Sequence, residues 1–354
     1  MNNNYKVIHP QFRLNGIAFS FDDLKEVGYC LIKEGLPFEI AIGNFLIDWV
    51  NDDAFVYVKT SGSTGTPKQI KLEKQHMVNS AMATGSFFNL KSGDSALLCL
   101  PTEFIAGKMM LVRAMVLGLK LDYVAPNSKP LENNSKVYDF AAMIPLQLEN
   151  SIAHIESIKK LIVGGAKMST DLIHRVQYKT TAVFETYGMT ETITHIAVKE
   201  IHNAQQIASE TFKALPDVTF KTDQRNCLVI HAPSIATEKV VTNDLVNLIS
   251  STEFEWLGRF DSIINSGGIK LIPEKIEAKL AAIIKERFFV AGIPDEKLGE
   301  KLVLVIEGKP RKIDFSSLEL TPYEIPKEVF YATKFVETEN NKIQRKKTLN
   351  LLIK

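Results

Sequence analysis

Short apolar strands that stop on glycine, proline or hydroxyl residues recur along the first two thirds of the chain. "AFVYVK" (54–59), "SALLCLP" (95–101), "IKKLIVGGA" (158–166) and "TAVFETYGMTE" (181–191) have this form. Apolar residues at helical spacing fill 73–88, 105–118 and 169–179 between them. Two further helices read at 20–34 and 37–50, the first opened by a weak capping box of Ser20 and Asp23. Strand and helix in alternation specify an α/β fold with parallel strands, whose ligands gather beyond the carboxyl ends of the strands. The glycine and hydroxyl loops stand at those ends.

The pattern changes near residue 258, where a strand-turn-strand, a helix starting near Pro273 and three more strand-like runs form a small α+β set. Two domains are therefore expected, 1–259 and 260–354, which a chain of 354 residues accommodates. A net charge of +1 excludes a global field for nucleic acid or an anionic membrane, so any anionic ligand must be held locally. Three scattered cysteines without a CxxC pair read as reduced thiols, and seven histidines without close ligand spacing argue against zinc. With neither a signal-peptide pattern nor a long apolar run, a cytoplasmic protein is expected.

The stretch "TSGSTGTPK", Thr60 to Lys68, is the densest cluster of small and hydroxylated residues. Glycines at 62 and 65 permit positive φ and close approach, while Ser61, Ser63 and Thr64 supply donors and Lys68 a charge. Such a loop aims N–H groups and hydroxyls at one anion, although a solvated connection has the same composition. Its spacing is not that of a Walker loop, which disfavours a P-loop kinase or ATPase.

Other segments decide between these readings. "TSGSTGTPK" resembles the phosphate loop of the adenylate-forming superfamily of acyl-CoA synthetases, and "ETYGMTET" (185–192) its adenine and magnesium motif. "VTNDL" (241–245) is similar to its ribose segment, "GRFDSIINSGGIKLIPEKIE" (258–277) to its hinge and "NNKIQR" (340–345) to its C-terminal lysine motif, all in family order. The resemblance implies a large N-terminal α/β domain with mixed and parallel sheets plus a small, mobile C-terminal α+β domain. The segment before the phosphate loop is much shorter than usual, so part of the N-terminal subdomain is expected to be missing.

What the resemblance implies chemically is a two-step reaction needing ATP, Mg²⁺ and coenzyme A: a carboxylate forms an acyl-adenylate, then a thiol displaces AMP. Thr60, Ser61, Gly62, Ser63, Thr64, Gly65 and Lys68 would bind the β- and γ-phosphates. Tyr187 and Gly188 would face adenine, opposite Gly164, Gly165 and Ala166. Thr190 would contact the α-phosphate, Glu191 would coordinate Mg²⁺, Asp244 would hold the ribose, and Arg259 would help hold the ribose or phosphate. Lys342 would act catalytically on the α-phosphate, Asp261 would be the hinge, and Gly267 and Gly268 would line the coenzyme A tunnel. Each has a plainer reading: Tyr187 as a strand-end aromatic, Glu191 and Asp244 as a helix-start and a turn acid, Asp261 as a turn former, Lys342 as solvated surface.

The chain departs from the family pattern at Gln69, Asn243 and Asn341, where glycine is usual, and Phe104 stands at a common histidine position. "TEFIAGKMMLVRAMVLG" and "YGMTETITHIAVK" resemble short bacterial o-succinylbenzoate–CoA ligases of menaquinone biosynthesis. Their small-molecule acid carries a second carboxylate, which needs a basic partner. Lys108 and Arg113 lie about 140° apart on a helix, so both cannot face one anion. Lys108 is the favoured partner, with Arg113 capping an edge or pairing elsewhere; Phe104 and His195 are further pocket candidates. An aryl-acid CoA ligase, a carrier-protein-loading adenylation enzyme and a degenerate nucleotide-binding regulator stay open.

Overall fold

The computed structural model describes residues 4–59, 69–202, 209–338 and 343–353. Helices α1 (Asp23–Glu34) and α2 (Pro37–Val50) precede a hairpin of Phe55–Lys59 and Gln69–Glu73. Helices α3 (Lys74–Phe87) and α4 (Ile105–Leu117) follow. In the expected capping box, the Asp23 carboxylate accepts from Ser20 N at 2.7 Å. Gly118 ends α4 at φ 73°, a left-handed cap that favours glycine.

The main sheet has a parallel half and an antiparallel half. Arg13–Leu14, Lys120–Tyr123, Ser95–Leu98, Tyr138–Met143, Ile158–Val163 and Ala182–Gly188 neighbour one another in that order, each pair parallel. Beyond Ala182–Gly188 the sheet continues antiparallel through His195–His202, Phe212–Ala214, Glu253–Arg259 and Val240–Ser250. Residue alternation covers both faces: Phe140 and Ala142 join the apolar cluster with α2, α3 and α4, whereas Ala141 and Met143 join a second cluster with Leu148 and Leu172.

One strand departs from the expected pattern. Phe55–Lys59 is not part of the main sheet but pairs antiparallel with Gln69–Glu73, Lys59 opposite Gln69. The physical reason is connection length: the nine positions between them are too few for a parallel crossover, which needs about a dozen residues. Thr60 to Lys68 itself lies outside the described residues.

The large sheet ends at Arg259 and a separate five-stranded sheet begins at Ile264. The second sheet carries its own apolar clusters, centred on Ile276, Leu280 and Leu304 and on Phe289, Val305 and Phe335. Between the sheets lies only the short turn Phe260–Ser262. Gly267 and Gly268, both at positive φ (59° and 83°), make the hairpin between Ile264–Ser266 and Ile269–Leu271, a two-residue turn that favours glycine. No helix among the described residues is long and apolar enough to cross a membrane.

At the amino end, α1 and α2 cross on glycine. A Cβ at Gly43 would stand 2.6 Å from Gly28 O, and one at Gly28 would stand 3.0 Å from Gly43 O. Neither partner is a side chain that can swing aside. Gly43→Ala gains helix propensity of up to about 1 kcal/mol, yet should lose about 1–3 kcal/mol to overpacking. A net fall in urea-unfolding free energy is expected; unchanged or higher stability would mean that the helices separate freely.

Candidate active site

The site forms where the last parallel strands end. Val163 leads into Gly164, whose N–H donates to Met143 O at 3.1 Å. A Cβ at Gly164 would lie 2.4 Å from Thr186 Oγ1, and Gly165 has φ 87°. This backbone turn is therefore pressed against the strand that carries Tyr187, and Gly165 and Ala166 remain exposed beside it. Glu185 fastens the turn from below: its Oε1 accepts from Met168 N at 3.0 Å, while Lys199 Nζ approaches its Oε2 at 2.6 Å.

Tyr187 is the junction of the two halves of the sheet. Its ring packs edge-on against Phe254, with centroids 5.1 Å apart, and its hydroxyl donates to Asp244 Oδ2 at 2.6 Å. Burial first, then the Asp244 charge, pushes the Tyr187 phenol far above its ordinary value, so it remains a neutral donor. Asp244 Oδ1 accepts from Trp256 Nε1 at 3.2 Å, and its backbone N–H donates to Thr242 Oγ1 at 3.0 Å. A register shift explains how Trp256 reaches it. Leu245 opposes Gly258 whereas Val246 opposes Trp256, so Leu257 is skipped and the strand is re-aimed.

Arg259 sits opposite Asp244 in the register, with Nε 3.9 Å from Asp244 Oδ1. Its fork is spent on Asp261, at 3.0 and 3.1 Å. That pairing holds the Asp261 carboxyl below its usual range. The expected ribose residue and the expected hinge residue are thus in contact. Gly267 and Gly268 lie beyond them at the tip of an exposed hairpin.

After Gly188 the chain makes a tight turn, Thr190–Thr192. Ile193 has φ 63°, a conformation β-branched residues rarely adopt. Buried Thr192 holds it: the hydroxyl accepts from Met189 N at 3.1 Å and reaches Thr194 O at 2.9 Å. Glu191 is exposed next to Thr190, with no ion pair or hydrogen bond among the described residues. A free carboxylate fits a hard cation whose remaining ligands are phosphate oxygens and water. Among the described residues no group of three or more His, Cys, Asp or Glu forms a self-sufficient metal site.

On the other side of Gly188 stands His195, its direct neighbour across the strand pair. His195 is buried against α3 and α4, in contact with Thr84 and Arg113. The two basic residues of α4 point apart, as their spacing requires. Lys108 Nζ lies over the Phe45 ring of α2, 5.0 Å from its centroid, with Asp48 and Glu103 nearby in its field. Arg113, expected to cap an edge or pair elsewhere, turns inward to Thr84 and His195. It is 1% exposed and has no acidic partner among the described residues. Burial pushes its guanidinium down to about 9, still charged at neutral pH. Phe104 is half-buried at the start of α4.

Lys342 and the whole segment Thr60, Ser61, Gly62, Ser63, Thr64, Gly65 and Lys68 lie outside the described residues. Trp256, Thr192 and the Glu185–Lys199 pair were not singled out from sequence. Alternation of Phe254 and Trp256 along one strand was a signal for the first. The bulge that turns Trp256 onto Asp244 had none.

The AMP-binding enzyme family matches residues 47–222. A crystal structure of an acyl-CoA synthetase (AMP-forming)/AMP-acid ligase II-like protein from Dyadobacter fermentans is 34% identical, covering 92% of this chain and 98% of that one at a TM-score of 0.62. This chain belongs to the AMP-binding enzyme family, and its fold is that of the adenylate-forming enzymes. The 2-succinylbenzoate–CoA ligase of Escherichia coli is 26% identical over 73% of this chain, which spans only 59% of that relative's length. The o-succinylbenzoate coenzyme A synthetase of Bacillus subtilis, solved with ATP and magnesium ion, shares the fold at 20% identity and a TM-score of 0.70, over 83% of this chain and 69% of that one.

The Tyr187–Asp244 bond has a measurable consequence. Tyr187→Phe removes the donor but keeps the ring, and should weaken AMP binding about tenfold, the order of one hydrogen bond to a charged group. Asp244→Ala, which removes the acceptor of both Tyr187 and Trp256, should weaken it more. Calorimetric titration with AMP checks both; an unchanged Kd for Tyr187→Phe would mean that the bond does not organise the site.

Proposed function

We propose that this chain is an AMP-forming acid–thiol ligase, acting on o-succinylbenzoate or an acid of that class and transferring it to coenzyme A. The observation that carries the substrate reading is Arg113. A buried guanidinium without a counter-ion is costly, by roughly several kcal/mol even after the surroundings relax. A substrate whose distal carboxylate reaches Arg113 supplies the missing charge, while its other carboxylate is activated on the far side of Gly188. Lys108 is the weaker candidate, because Asp48 and Glu103 already favour its charge. The names of the relatives support the same acid.

In this reading Tyr187, Gly164, Gly165 and Ala166 enclose adenine, and Asp244 accepts from the ribose diol with Tyr187 and Trp256 fixing its two oxygens. Arg259 helps hold the ribose. Thr190 donates to the α-phosphate, and Glu191 binds the Mg²⁺ that neutralises phosphate charge. The loop from Thr60 to Lys68 grips the β- and γ-phosphates as the carboxylate attacks the α-phosphorus and pyrophosphate leaves. Lys342 meets the charge that builds there, a contribution of the order of 10²–10³ in rate. Domain 260–354 then turns about Asp261, and Gly267 and Gly268 line the path of the thiol that displaces AMP.

Pyrophosphate release with ATP and Mg²⁺ should be fastest with o-succinylbenzoate and weak with the matched keto acid lacking the ring carboxylate. Arg113→Ala should lower kcat/KM for the diacid by about 30-fold or more, from the loss of a buried charge pair. Equal rates with both acids would overturn the substrate reading. Lys342→Ala should abolish adenylate formation and leave thioester formation from pre-made acyl-adenylate largely intact; equal loss of both half-reactions would remove the two-face arrangement of the small domain.

A further inference from the structure

The side chains around Arg113 form a closed network in which every partner is neutral. Arg113 Nε donates to Thr84 Oγ1 at 3.4 Å, and Nη2 lies 3.4 Å from His195 Nδ1. Thr84 Oγ1 lies 3.3 Å from His195 Nε2 and donates to Ser80 O at 2.9 Å. These contacts determine the imidazole tautomer. A guanidinium can only donate, so Nδ1 is the acceptor and carries no proton. The Thr84 hydroxyl spends its hydrogen on Ser80 O, so it accepts from His195 Nε2–H. His195 is therefore the neutral Nε2–H form; burial first, then the Arg113 charge, holds it well below its ordinary pKa.

The network is buried against aromatic rings. Phe88 packs edge-on to His195, with centroids 6.4 Å apart, and also against Phe184 and Phe140. One turn before Thr84 on the same face of α3, the buried Ser80 hydroxyl has no hydrogen-bond partner among the described residues. An uncompensated cation and an unspent hydroxyl are thus buried in the same layer beside the strand pair that carries Gly188. An acidic residue at 195 would neutralise Arg113 internally. A histidine locked in this tautomer orients the guanidinium and leaves its charge unspent.

We infer that His195 is a positioning residue for acid specificity: it fixes the Arg113 guanidinium without supplying a counter-ion, so that a second carboxylate on the substrate is required to complete the site. This rests on the reading of Arg113 proposed above, but it makes a separate claim about His195. Asparagine and aspartate are the informative replacements, because their Oδ1 stands where Nδ1 stands, the same number of bonds from Cα, and they differ from each other only in charge.

The test compares wild type, His195→Asn and His195→Asp by thermal unfolding without substrate and by pyrophosphate release with o-succinylbenzoate and its analogue lacking the ring carboxylate. His195→Asn should keep the diacid preference with a modestly raised KM. His195→Asp should unfold at a higher temperature than His195→Asn. It should also shift the diacid-to-monoacid ratio of kcat/KM by at least about tenfold toward the monoacid, mainly through KM for the diacid. If His195→Asp is no more stable than His195→Asn, or if both variants lose activity on both acids in proportion, the positioning role is overturned. If wild type shows no diacid preference while His195→Asp is still stabilised over His195→Asn, the substrate reading fails and the uncompensated cation stands. Should His195→Asp not fold, His195→Gln carries the activity arm: its amide reaches the Nε2 position and cannot orient Arg113 from Nδ1. A lowered diacid preference is then expected, and an unchanged ratio overturns the inference.

Discussion

The hydrogen bond from Tyr187 to Asp244 joins the two halves of the molecule that make the site. Tyr187 closes the last parallel strand, and Asp244 belongs to the antiparallel extension. That bond ties the strand end beside the glycine turn at 164–166 to a carboxylate four strands further along the same sheet. It is a strong bond for a physical reason: the phenol cannot ionise beside a buried negative charge, so its proton stays in place for the acceptor.

Charge is rationed differently on the two sides of Gly188. On the side of Tyr187 the acids are matched: Asp244 by Tyr187 and Trp256, Asp261 by Arg259, Glu185 by Lys199. On the other side Arg113 stands among neutral partners. Matched groups hold a backbone in position; an unmatched one keeps its charge without an internal counter-ion. The strained Ile193, held by the Thr192 hydroxyl, lies between the two regions, where a turn must reverse the chain within a few residues.

Much of this was readable in advance. Helices α2 and α4 fall where apolar spacing places them, and the strands ending at Val163 and Gly188 stop at the residues that read as stops. Tyr187, Gly188 and Glu191 share one motif, so their proximity followed from sequence order. The hairpin at 55–73 did not follow, because an apolar run ending in glycine looks the same whether its partner is parallel or antiparallel. Trp256 was also out of reach, because a single skipped residue in the pairing redirects it. Lys108 and Arg113 were separable by helical phase, but phase alone assigns no neighbours.

The amino-acid sequence by itself determined the alternation of elements, the placing of flexible residues at strand ends and the order of the nucleotide motifs, since these depend on local period and side-chain chemistry. Tertiary structure alone decided which charges are paid for. Whether Arg113 meets an acid or a histidine depends on which face of α3 and which residue of the strand after Gly188 pack against it. Those contacts join residues 29 and 82 positions away in the chain. Burial and partner identity are properties of the packed assembly, and in a low-dielectric interior they set what a buried charge can do.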